Sequence, residues 1–264
     1  MKTITSPSNP TIKFIRSLKQ KKERESSGLY FVEGIRLVGE AFRTQQKFVH
    51  VVVCFDLLNS LFGKEMISQI ADQGIDTISV SESVFLSIAL KEGPQGIMAV
   101  IEEKWDALDA ITRIKGLWVA LDSVQDPGNL GSILRSTDAA DGKGIVLMDD
   151  SADPYHPTSV RASMGAIFTQ KIVKTTFGGF AQWKKLNNYP LIGTFCGEEL
   201  NYRSYNYPKD MVLLMGSEQK GLSSKLVEFC DRLVTIPMKG TMDSLNLSNA
   251  TSIILFEILA QHAG

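Results

Sequence analysis

The stretch from Leu121 to Asp150 reads LDSVQDPGNLGSILRSTDAADGKGIVLMDD, and its rhythm decides the fold class. An apolar run ends at a Pro-Gly turn, a helical pattern follows, and a second apolar run, GIVLMD, closes the unit. Continuous apolar strands that alternate with helices belong to a parallel sheet covered on both faces. The expected class is therefore α/β with a mostly parallel sheet. Ligands of such sheets sit at the carboxyl ends of the strands, so chemistry is sought in the loops that follow the apolar runs.

The loop in this stretch is not a dinucleotide cradle, because Gly128 and Gly131 alone cannot supply G-x-G-x-x-G. Asn129 stands at the start of the expected helix, where an N-cap is the plain alternative to a functional role. Arg135 shares a helical face with Gly131 and Ala139, small residues that leave room above the helix, while Leu130, Ile133 and Leu134 point to the sheet. An arginine so placed can fork onto a phosphate or carboxylate; a surface salt bridge is the alternative.

Toward the C-terminus the apolar runs KIVKTTF, PLIGTF, MVLLMG and LVTIP continue the alternation. In MVLLMGSEQKGLSSKL, Gly216 to Gly221 imitates the glycine spacing of a P-loop, but Leu222 stands where the phosphate-binding lysine belongs. A nucleoside-triphosphate site is excluded on that residue. Glu218 sits in this glycine-flanked loop with no evident structural task beyond the common preference for acids near helix starts. In LVTIPMKGTMDSLNLSNATSIILFEILAQ, Ser244, Asn246 and Ser248 alternate with Leu245 and Leu247 ahead of a helix. Ser248 is the expected N-cap there. The helix from Ala250 to Ala260 is apolar nearly all round, which calls for deep burial or a subunit interface.

Toward the N-terminus, LYFVEG, FVHVVVCF and QGIMAVIEE read as strands and GIRLVGEAF as a helix, giving a small α/β domain over 1–103. KWDALDAITRIKG, residues 104–116, reads as a polar, partly helical linker, and 117–264 as the second domain. Net charge is −1, yet Met1 to Arg24 carries seven cations against the single acid Glu23. A basic helix expected over Thr11 to Glu25 suits nucleic-acid phosphates as well as it suits a solvated face. Cys54, Cys196 and Cys230 lie far apart, with no C-x-x-C pair, and are read as reduced thiols. His50, His156 and His262 are too scattered for a metal site. No apolar run reaches the ~18 residues of a membrane span and the N-terminus lacks a signal-peptide core, so a cytoplasmic protein is expected.

In order and spacing, DPGNLGSILRSTDAA, LLMGSEQKGLSSKL and VTIPMKGTMDSLNLSNA resemble the three motifs of the SpoU (TrmH-like) RNA ribose methyltransferases of the SPOUT superfamily. PYHPTSVRASMGAIF is similar to the same family, and GLYFVEGIRLVGEAF and GPQGIMAVIEE resemble the substrate-binding domain that many members carry in front. The resemblance implies a ribosomal-protein-type α/β RNA-binding domain and a SPOUT domain with a deep trefoil knot, where topology rules alone give an unknotted sheet. It also implies a homodimer formed through the C-terminal domain, with no membrane and no metal. The cofactor implied is S-adenosylmethionine, held bent and largely by backbone groups around Gly216, Ile236 and Leu245, with neighbours Leu214, Met215, Pro237 and Met238. The family's reacting or RNA-contacting residues match Arg135, Asn129, Glu218, Ser244 and Asn246. Its arginine is often described as a general base. A guanidinium holds its proton in ordinary sites, so the expected role of Arg135 is to clamp the phosphate beside the target hydroxyl, with proton removal reserved for a dry site. The implied reaction is methyl transfer to a ribose 2′-hydroxyl, in ribosomal RNA rather than transfer RNA. A transfer-RNA enzyme of the same family and a non-catalytic RNA-binding relative are the alternatives. Gln219 and Asn249 depart from the family pattern without touching the proposed reacting groups.

Overall fold

Two compact units make up the chain, the first holding the described residues up to Glu103 together with Tyr155–Phe168, the second Lys104–Pro154 and Thr169 onward. The computed structural model describes residues 3–90, 92–195, 197 and 200–263. Lys2 and Cys196, both weighed in the sequence, lie outside them.

In the first unit helices α1 (Pro10–Ser17) and α2 (Lys21–Ser27) precede β1 (Leu29–Glu33), α3 (Ile35–Arg43) and β2 (Phe48–Val53). Then come α4 (Leu61–Asp72), β3 (Thr77–Ser79), α5 (Glu82–Ile88) and β4 (Ile97–Glu102). The sheet order is β1-β4-β2-β3, with β4 antiparallel to both neighbours and β3 parallel to β2. The three expected strands and the expected helix are all present. Ile12, Ile15 and Leu18 of the basic segment enter the core beside Phe31, Val52, Phe85 and Val100.

The basic segment itself departs from expectation. It is two helices, because Gln20 takes an extended conformation and starts the second. Arg24 is 1 % exposed and donates to the carbonyls of Leu18 (2.7 Å) and Lys19 (3.0 Å). Arg16 donates to the Ser87 carbonyl and hydroxyl, and Lys19 to the Ala89 carbonyl. Three of the cations thus serve the chain's own loop ends, and Lys13, Lys21 and Lys22 are the exposed ones.

The second unit begins with α6 (Ala110–Ile114), β5 (Leu117–Asp122), α7 (Pro127–Ala139), β6 (Gly144–Met148) and β7 (Lys171–Thr175). The short α8 (Pro157–Ala162) between β6 and β7 belongs to the first unit, where Tyr155 packs on Tyr30. After β7 follow α9 (Phe177–Asn187), β8 (Leu191–Thr194), β9 (Leu200–Asn201), β10 (Met211–Met215), α10 (Ser224–Phe229), β11 (Arg232–Thr235) and α11 (Leu247–Ala263). The sheet runs β7-β6-β5-β10-β8-β11-β9 and every pairing is parallel. The segment 104–116 is built into this unit. Asp106 bridges to Val173 along the edge strand β7, and Ala110 and Ile111 are fully buried in the core.

The chain turns to β6 on one side of β5 and the sheet continues to β10 on the other. That switch of direction opens a crevice at the carboxyl ends of β5 and β10. Leu130, Ile133 and Leu134 are fully buried. At about 1.5–3 kcal/mol each, the three together anchor α7 more strongly than the single capping hydrogen bond at its start.

Candidate active site at the carboxyl edge of the parallel sheet

The start of α7 is set by Asp126 rather than Asn129. The Asp126 carboxylate accepts from the Asn129 N–H at 2.7 Å, and Pro127 occupies the first turn. Asp-Pro ahead of a helical pattern was a legible cap signature, pairing a preferred N-cap with the one position where proline's missing N–H costs nothing. With the cap supplied by Asp126, Asn129 sits within the first turn and its side chain is free for other work.

That side chain meets the loop after β10. This loop closes as a tight turn in which Ser217 and Gly221 exchange backbone hydrogen bonds at 3.2 and 3.0 Å. A Cβ on Gly216 would lie 2.1 Å from the Gly221 carbonyl carbon, so no side chain fits there. Gly221 has φ +61°, the left-handed region that glycine adopts without strain. The turn carries Glu218 to the start of α7. Its carboxylate accepts from the Gln125 N–H (3.1 Å), the Asp126 N–H (3.2 Å) and Asn129 Nδ2 (3.1 Å). Glu218 therefore has a structural task that its sequence context did not reveal. Partial burial works to raise its pKa, but the hydrogen bonds from Asn129 and backbone N–H groups outweigh it and hold the carboxyl below its ordinary value. An anion so held, at a helix N-terminus, is a poor proton acceptor at neutral pH.

The third element arrives with α11. Asn246, not Ser248, caps this helix. Its Oδ1 accepts from the Ser248 N–H (2.9 Å), the Ser248 hydroxyl (2.7 Å) and the Asn249 N–H (3.4 Å). Its Nδ2 donates to Asn129 Oδ1 at 3.0 Å. Three segments far apart in the chain are thus joined by one directional series, Asn246 to Asn129 to Glu218.

Arg135 stands apart from that series. It lies six positions beyond Asn129, about 9 Å along the helix, exposed and with no hydrogen-bond or ion-pair partner among the described residues. Ala139 shares its exposed face, but Gly131 is buried, so the cleared floor expected beneath Arg135 extends only toward the helix C-terminus. Ser244 is exposed and makes no hydrogen bond among the described residues. Sequence reasoning missed Gln125 and Asp126, whose backbone N–H groups receive Glu218.

Leu214, Met215 and Gly216 are buried at the end of β10. Ile236, Pro237 and Met238 follow β11, two strands away across β8. Leu245 is 40 % exposed. No residue from Ile236 to Leu245 makes a backbone hydrogen bond among the described residues. The loop therefore offers unengaged main-chain donors and acceptors together with apolar side chains. The histidines serve elsewhere. His50 meets Asp76 at 2.7 Å, His156 caps α8, and His262 meets the Tyr207 carbonyl at 2.9 Å. No cluster able to hold a metal is found among the described residues, and no described helix is long and apolar enough to cross a membrane.

The SpoU rRNA Methylase family matches residues 116–256, and the MRM3-like substrate binding domain matches residues 9–99. The chain is 28% identical to the Bacillus subtilis 23S rRNA (guanosine(2553)-2'-O)-methyltransferase RlmP, over 98% of this chain and 99% of that protein. Among solved structures, an AdoMet-bound rRNA methyltransferase from Sinorhizobium meliloti superposes with a TM-score of 0.87 at 34% identity, covering 97% of both chains. The SpoU methyltransferase AviRb from Streptomyces viridochromogenes, in complex with AdoMet, gives 0.88 at 27% identity over 97% of this chain and 99% of that one.

Proposed function

We propose that this chain, which belongs to the SpoU rRNA Methylase family, is an S-adenosylmethionine-dependent methyltransferase acting on a ribose 2′-hydroxyl of ribosomal RNA. The observation that carries the reading is the Asn246–Asn129–Glu218 series, which joins one polar residue from each of the three motifs at the sheet's switch point.

S-adenosylmethionine supplies an electrophilic sulfonium methyl when bound, and Gly216, Ile236, Pro237, Met238 and Leu245, with Leu214 and Met215, would hold it. A ribose hydroxyl is a weak acid, so positioning and stabilisation of the developing alkoxide carry the rate. Arg135, exposed and unengaged, forks onto the phosphate beside the target ribose and favours loss of the hydroxyl proton. Asn129 and Asn246 each keep a second amide N–H that the series leaves available to the ribose, while Glu218 holds the amides in place. Ser244 contacts the RNA from the loop before α11.

The working form is a homodimer through the C-terminal unit. Its support is the stripe Asn249, Ile253, Phe256 and Ala260 along α11, which is exposed although the helix is apolar. Support for the trefoil knot lies in the return of the chain. It leaves β11 beyond β8 and comes back to pack α11 on α7. A ribosomal RNA substrate implies a cytoplasmic workplace, and the front unit is the RNA-binding domain. The test is incubation with methyl-labelled S-adenosylmethionine and, separately, ribosomal and transfer RNA. Label in the ribose of ribosomal RNA is expected. Label in transfer RNA alone favours the transfer-RNA alternative, and label in neither favours a non-catalytic binder.

A further inference from the structure

Asn246 performs two tasks with one amide group. Its oxygen caps α11 and its nitrogen reaches Asn129. Capping needs only backbone N–H donors, and Ser248 and Asn249 supply them. The Ser248 hydroxyl is surplus to that task, yet it makes the shortest of the contacts to Oδ1, at 2.7 Å. The cap is also exposed, and of its two backbone contacts the one from the Asn249 N–H is long at 3.4 Å, so the hydroxyl supplies one of two short bonds that orient the amide.

The direction of the whole series depends on that oxygen. With Oδ1 facing three donors, the NH₂ of Asn246 must face Asn129 Oδ1, and the NH₂ of Asn129 must then face the Glu218 carboxylate. A turn of the first amide would set oxygen against oxygen at the next junction. Further along the helix, the Ser252 hydroxyl donates to the Ser248 carbonyl (2.7 Å) and meets the Ser136 hydroxyl of α7 (2.7 Å), so the backbone of Ser248 is tied to α7 independently of its own side chain.

We propose that Ser248 is a positioning residue for methyl transfer, its hydroxyl locking the Asn246 amide so that the free N–H groups of Asn246 and Asn129 point to the reacting ribose. This rests on the ribose-methyltransferase reading and adds to it a residue that touches neither RNA nor cofactor.

The test uses the full chain. Ser248→Ala is expected to lower kcat about three- to tenfold, the effect of one hydrogen bond, with KM for ribosomal RNA and the S-adenosylmethionine Kd unchanged. Its melting midpoint stays with that of the parent, and Ser248→Thr restores kcat. Asn246→Asp keeps the cap and the hydroxyl contact but lacks the donor, so it folds and transfers no methyl. An unchanged kcat in Ser248→Ala, or an active Asn246→Asp, overturns the proposal. So does a kcat loss that comes with a lowered melting midpoint and is not restored by threonine. A readout without turnover separates the two ideas. The side-chain amide proton pair of Asn246 in ¹H–¹⁵N spectra is expected to shift and broaden in Ser248→Ala, and an unmoved pair overturns the lock even if the parent enzyme methylates nothing. A parent that methylates nothing while the pair does move sinks the ribose-methyltransferase reading alone.

Discussion

At the scale of single residues, Arg135 and Glu218 divide the charge of the site. Glu218 is consumed by three donors, whereas Arg135 has none of the described groups as a partner. Replacement of Arg135 by alanine is therefore expected to lower methyl transfer by at least about 100-fold, the range of a lost transition-state contact, without loosening the fold. Calorimetric binding of S-adenosylmethionine should be unchanged; a fully active Arg135→Ala removes the arginine from the mechanism. Both residues could be singled out from sequence, Glu218 by its glycine-flanked loop and Arg135 by its exposed helical face, but the structural task of Glu218 could not. Their partners were not legible. Gln125 and Glu218 are 93 positions apart, and no local pattern links them.

At the scale of elements, α2 and the turn after β10 show how a reading of charge or glycine content depends on what packs above it. Arg24 belongs to a segment that looks like a polyanion-binding helix, yet it ties off the end of α1 and the start of α2 from within the core. Arg24→Ala leaves the buried Leu18 carbonyl and the part-buried Lys19 carbonyl without their donor, and a loss of about 1–3 kcal/mol of stability is expected in denaturant unfolding. Exposed Lys13→Ala should leave stability alone. The salt dependence of RNA binding should respond to Lys13 and not to Arg24, and a result the other way round would restore the basic-helix reading. In the turn, Gly216→Ala drives a Cβ into the backbone of Gly221 and Leu222. About 1–3 kcal/mol of stability is expected to be lost, because backbone cannot yield as a side chain can. The displaced turn should also weaken S-adenosylmethionine binding, measured by calorimetry; unimpaired binding would take Gly216 out of the cofactor site.

At the scale of the whole molecule, the sequence expects α11 to be buried or to form an interface, and in the structure one face of it is buried while the other is exposed. Leu247, Thr251, Ile254, Leu255 and Ile258 are buried, while Phe256 is 49 % exposed and Ile253 lies beside it on the open face. A dimer of the 29.1 kDa chain through this stripe predicts that Phe256→Glu sediments as a monomer and loses activity, with its melting midpoint near that of the parent. A Phe256→Glu protein that still sediments as a dimer would move the interface elsewhere.

The amino-acid order by itself determined the α/β class, six of the seven strands of the parallel sheet, the three motifs and the residue types able to do chemistry. Each of these is written in periodicity or in short spacing, which local sterics and burial translate directly. The short β9 and the exchange of Tyr155–Phe168 into the first unit were not written there. Only the tertiary structure decided that Asn246 rather than Ser248 caps α11, that Arg24 is buried, and that Glu218 reaches the start of α7. Those outcomes depend on which strand lies beside which. The switch at β5 and β10 brings residues 129, 218 and 246 within hydrogen-bond reach of one another, and that adjacency is set by the order of the sheet rather than by the order of the chain.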